Sequence, residues 1–69
     1  MEPDMDPAEI WQTIIKADDL LKYATDDKAA LRKGQAADLL REALVAAEAA
    51  GHDQLAGQAR TRLADLGES

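Results

Sequence analysis

Residues 36–51 read AADLLREALVAAEAAG, and this stretch decides the fold class. Ala36, Ala37, Leu40, Ala43, Leu44, Ala47 and Ala50 recur at intervals of three and four. That spacing lines apolar side chains along one face of an α-helix. Ala and Leu are also intrinsically strong helix formers. Gly51 follows at once, and glycine closes a helix by adopting the left-handed conformation that other residues avoid. The face is built mostly from small side chains, so neighbouring helices are expected to approach it closely.

Working back toward the N-terminus, Leu31 extends the same pattern, and Thr25-Asp26-Asp27 offers several N-caps for this second helix. Gly34 interrupts it, at a cost of roughly 1 kcal/mol relative to Ala. Three readings of Gly34 stand open: a tolerated irregularity, a point of close contact with the first helix where only hydrogen fits, or a helix that begins only after it. Earlier still, Asp6-Pro7 is a good helix start, because a carboxylate accepts a backbone N–H and proline suits the first helical position. Glu9 favours the positive end of the helix dipole. Ile10, Ile14, Ala17, Leu21 and Ala24 then repeat at helical spacing, with Trp11 and Ile15 widening the face, and this helix is expected to end near Thr25. Beyond Gly51, Asp53 is expected to cap a third helix carrying Leu55, Ala59, Leu63 and Leu66, with Gly67 as its stop. No segment alternates apolar and polar residues, so strands are not expected. The organisation predicted is a flexible acidic arm over 1–6 and a single three-helix domain over 7–67.

A spacing echo links the first and third helices. Leu20-x-x-Tyr23-Ala24 recurs as Leu63-x-x-Leu66-Gly67, and between them lie Ala36, Leu40 and Ala43. On these residues the chain resembles the tetratricopeptide-repeat family. Leu20, Tyr23 and Ala24 match the large, large and small positions of that repeat's first helix. Ala36, Leu40 and Ala43 match the small, large and small positions of its second. Leu63, Leu66 and Gly67 look like the start of a further repeat. Two positions depart from the pattern: the aromatic of the first helix falls at Asp27, and no proline closes the unit near Glu48. The same elements also fit an unrelated three-helix bundle. The resemblance implies an all-α fold, a tetratricopeptide-like helical hairpin plus a third helix in a small three-helix bundle. It also implies protein or peptide binding through a groove between helices.

Composition narrows the classes of function. One domain is all that 69 residues allow, near the lower size at which a single core suffices. There is no Cys, so neither a disulfide nor a thiolate metal site can staple the chain. A formal net charge of −6 disfavours broad contact with nucleic acid or an anionic membrane. No apolar run approaches the roughly 20 residues of a membrane span. Met1-Glu2-Pro3-Asp4 has no apolar signal region, so a cytoplasmic location is expected.

Candidate chemistry is sparse, and no enzyme is expected. His52 is the only His, and it falls between the helix-ending Gly51 and Asp53, where an exposed loop residue is expected. The only Ser is Ser69, and Thr13, Thr25 and Thr61 form no nucleophile motif. The Asp18-Asp19 and Asp26-Asp27 pairs invite a metal, but adjacent helical residues point about 100° apart, and neither pair fits a calcium loop. No catalytic, cofactor or metal residue is therefore assigned. Lys28, Arg32 and Lys33 cluster at the start of the second helix, where salt bridges to Asp26, Asp27 or the acidic arm are the simplest expectation.

Trp11, Ile15, Leu20 and Leu39 are the candidate partner-binding residues. They lie off the narrow core stripes, and exposed aromatic and aliphatic side chains mark contact sites. The function expected is a small interaction module, meaning an adaptor, a docking domain or a self-associating unit whose partner is another protein or a second copy. The alternative is a small regulator, either an antitoxin-like inhibitor or a DNA-binding protein reading DNA through Gln58, Arg60 and Arg62.

Overall fold

A computed structural model of the chain describes residues 6–67, which form an all-α three-helix bundle. The helices are α1 (Pro7–Lys22), α2 (Ala29–Ala50) and α3 (Asp53–Asp65), with a 3-10 turn at Asp26–Lys28 leading into α2. Residues 1–5 of the expected acidic arm lie outside the described residues.

Each boundary follows from local chemistry. Asp6 is the N-cap of α1: its carboxylate accepts the Glu9 backbone N–H at 2.9 Å, and the Glu9 carboxylate accepts the Asp6 backbone N–H at 3.0 Å. This reciprocal capping box satisfies two of the backbone donors that a helix start leaves open. α1 ends at Lys22, short of the expected Thr25. The Tyr23 N–H still bonds back to the Asp19 carbonyl at 3.1 Å, but Thr25 is already extended at φ −95°, ψ 164°. Gly51 closes α2 at φ 77°, with its N–H on the Glu48 carbonyl and the His52 N–H on the Ala47 carbonyl at 2.8 Å. That pair of bonds is the Schellman closure. The chain re-enters a helix immediately: the His52 carbonyl accepts the Ala56 N–H at 3.0 Å. His52 therefore occupies the cap position and is half-buried, rather than an exposed loop residue. Asp53 is the first residue of α3 instead of its cap, where its charge still favours the helix dipole. Gly67, at φ 81°, follows the end of α3, with its N–H on the Ala64 carbonyl at 3.0 Å.

α2 is the central element. It packs along both α1 and α3, which meet each other over a narrower line. The core comprises Ile10, Ile14 and Ala17 of α1, Ala36, Ala37, Leu40, Ala43 and Ala47 of α2, and Ala56, Ala59 and Leu63 of α3. Ile10, Ile14 and Leu40 are the largest side chains buried completely.

Two expectations for α2 change. Leu31 is 59% exposed, because it lies nine residues from Leu40, about two and a half turns away and so on the opposite face. Ala50 is exposed as the last residue of the helix. Gly34 continues the helix, so α2 does not start after it, and a Cβ built there meets nothing within 4 Å. The close-contact reading of Gly34 is thereby overturned, and it is a tolerated glycine on an exposed face. Among the described residues no helix is long and apolar enough to cross a membrane.

Candidate interaction surfaces

The four candidate residues do not form one patch. Trp11 and Ile15 are one turn apart on α1 and are 41% and 37% exposed. Leu20 is nine residues beyond Trp11, which places it on the other flank of the same helix. Leu20 shares a groove between α1 and α2 with Leu39. Both leucines are half-buried against the core. The structure therefore pairs Trp11 with Ile15 and Leu20 with Leu39, on opposite sides of α1.

The first flank is organised by Arg62 of α3. Its guanidinium carbon lies 5.8 Å from the Trp11 ring centroid, within cation–π range. Its Nε donates to both oxygens of Asp18, at 3.0 and 3.1 Å. Its Nη1 donates to the Gln58 side-chain oxygen at 2.6 Å and to the Gln58 carbonyl at 3.2 Å. Asp18 stands seven residues after Trp11 and so on the same face of α1. Arg62 thus bridges α3 to α1 and holds Trp11 between fixed neighbours. Asp18 and Arg62 are 44 positions apart, and nothing local in the sequence links them. A spacing of seven puts Asp18 on the same face of α1 as Trp11, but the cation that joins them comes from α3.

The second flank carries more polar character. Lys16, Asp19, Leu20, Tyr23 and Arg32 line one end of the α1–α2 groove, and Gln35, Asp38, Leu39 and Glu42 continue it along α2. Tyr23 is 70% exposed, and the Lys22 ammonium lies 5.5 Å from its ring. Tyr23 belongs with the candidate contact residues. Its spacing of three from Leu20 was the available signal.

The remaining charged residues resolve differently from expectation. Asp27 accepts the Thr25 hydroxyl at 2.8 Å. Among the described residues, Lys28, Arg32 and Lys33 make no salt bridge to Asp26 or Asp27, which corrects that part of the expected pairing, while residues 1–5 of the acidic arm lie outside the described residues. Lys28 and Lys33 are exposed, where an ion pair gains little over hydration, and Arg32 is half-buried along the α1–α2 groove. Arg60 bonds Glu48 at 2.7 Å, tying α3 to α2. Both arginines that a DNA-reading third helix would use are therefore engaged within the protein. Among the described residues no group of three or more His, Asp or Glu side chains gathers where a metal could be held.

Compared with known proteins, the chain matches no family model, no curated protein and no solved structure.

Proposed function

We propose that this chain is a small, non-catalytic protein–protein interaction module that engages its partner through the Trp11–Ile15 flank. The observation that carries this reading is the half-exposed Trp11 held over Arg62, which Asp18 and Gln58 fix in turn. Trp and Arg are the residue types over-represented among side chains that dominate binding energy. A pre-positioned anchor also loses less rotamer freedom on binding than a mobile one. The tetratricopeptide-like spacing of Leu20, Tyr23, Ala24, Ala36, Leu40 and Ala43 supports the same class, since repeats of that kind bind peptides between helices. Regulation by inhibiting an enzyme would use the same flank. DNA binding has less support, given the net charge of −6 and the engagement of Arg60 and Arg62 with acidic side chains.

Trp11 is the only Trp, so its fluorescence reports on this surface directly. A partner captured by the wild-type chain, then purified, is expected to shift the Trp11 emission to the blue on binding. Trp11→Ala is expected to raise the dissociation constant about tenfold or more. A purified partner that binds both proteins equally and leaves the emission unmoved would refute the assignment of this flank.

A further inference from the structure

α3 is the least secured of the three helices. Ile10, Ile14 and Leu40, the largest fully buried side chains, all belong to α1 and α2. α3 has 13 residues, and its buried side chains are Ala56, Ala59 and Leu63. Hydrophobic stabilisation scales with the apolar area withdrawn from water, so α3 gains least from packing. Its start is weaker too. α1 opens on the Asp6–Glu9 capping box, whereas His52 at the head of α3 makes no side-chain cap.

The polar contacts of α3 are unequal. Arg60 pairs with Glu48 of α2 in an exposed position, where an ion pair contributes little. Toward α1 the helices meet over a narrow line, and there Arg62 holds Asp18 through both carboxylate oxygens and faces the Trp11 ring. At the other end, Gly51 and His52 alone join α2 to α3. Gly51 turns at φ 77°, and a Cβ built there meets nothing within 4 Å, so no packed neighbour braces the corner. Arg62 lies ten residues past His52, about 15 Å along the helix.

We infer that α3 is a hinged lid. It opens about the Gly51–His52 corner while α1 and α2 stay paired, and the hold of Arg62 on Asp18 and Trp11 is its latch. Small domains open in such cooperative units below the level of global unfolding. Opening withdraws the cation from Trp11 and uncovers the side of the core that faces α3. The Arg62-backed form of the Trp11 flank exists only with the lid closed, so a molecule that binds that form alone holds the lid shut. The lid itself does not rest on the proposed partner flank, and its test needs no partner.

Native-state amide hydrogen exchange of the full chain, resolved by residue in low urea, tests the inference. In the wild type the amides from Ala59 to Leu63 are expected to show protection at least about tenfold lower than those from Leu40 to Ala47. Their exchange is also expected to depend less steeply on urea, because opening a lid exposes less surface than unfolding the domain. Arg62→Ala releases the latch and is expected to lower α3 protection about tenfold. Asp6→Ala removes the cap of α1, which stays formed while the lid is open. That variant is expected to lower α1 and α2 protection about fivefold and to leave α3 protection unchanged. Circular dichroism checks that both variants fold, and the wild-type comparison stands without them. Equal protection and equal urea dependence for α3 and α2 would overturn the inference. So would an Arg62→Ala variant with unchanged α3 protection, or an Asp6→Ala variant that weakens α3 as much as α2.

Discussion

Arg62→Ala tests whether the α1–α3 bridge is an energetic feature of the fold or merely a contact. The substitution removes a bidentate hold on Asp18 and the cation facing Trp11. The Arg62 and Asp18 side chains are 24% and 38% exposed, so the pair falls between two measured regimes. Exposed ion pairs contribute about 0.2–1 kcal/mol, and breaking a buried pair costs about 3–5 kcal/mol. A cation–π contact near the surface adds about 0.5–1 kcal/mol. With solvent screening counted, the expected loss is about 1–2 kcal/mol. A domain of this size has only about 3–10 kcal/mol of stability, and each kcal/mol moves Tm by about 4–8 °C. The expected fall in Tm is therefore about 5–15 °C, measured by thermal circular dichroism. A double-mutant cycle with Asp18→Ala isolates the pair and is expected to give a coupling of about 1 kcal/mol. Acrylamide quenching of Trp11, the only Trp, is expected to rise in Arg62→Ala as the ring loses its cover. Additivity of the two substitutions within about 0.3–0.5 kcal/mol, with unchanged quenching, would refute the bridge.

Leu40→Asp places a carboxylate at a fully buried position with no cation among the core residues. It is expected to abolish the cooperative thermal transition, and a sharp melt in that variant would contradict the packing of α2. The two glycines of α2 and its end are expected to respond with opposite signs. Gly34→Ala meets no neighbour within 4 Å and is expected to stabilise the fold by about 0.5–1 kcal/mol. Gly51→Ala forces a side chain into the left-handed region at φ 77° and is expected to destabilise it by about 1–2 kcal/mol. Urea titration of both variants, read by circular dichroism, distinguishes the two signs.

Features that depend on short stretches of chain were legible in the sequence. Asp6-Pro7 fixed the start of α1, Gly51 the end of α2 and Gly67 the end of α3, because caps and stops act within one turn. The core stripe Leu40–Ala43–Ala47 was legible because helical periodicity needs no tertiary information. Leu31 is apolar but stands half a turn round the helix from Leu40, so its angular position and not its character decides its exposure. The same periodicity places Trp11 and Leu20 on opposite flanks of α1. The Arg62–Asp18 bridge was not legible at all. Its geometry depends on how α3 lies across α1, which no local pattern encodes.

The small core and the exposed apolar flanks have one physical origin. Seven of the eleven buried core residues are Ala. Alanine lets helix axes approach closely, and close axes leave little volume between them for larger side chains. Trp11, Ile15, Leu20 and Leu39 stand where that volume runs out, at the margins of the helix seams. Tyr23 and Val45, 70% and 65% exposed, lie farther out still. An alanine-lined core also gains less from burial, since hydrophobic stabilisation scales with apolar area removed from water. A chain built this way holds its three helices together with little to spare and leaves its larger apolar side chains at the surface. Covering either flank adds the burial that the interior lacks, so association and folding draw on the same apolar side chains. Any partner that binds the folded form alone then raises its apparent stability by mass action.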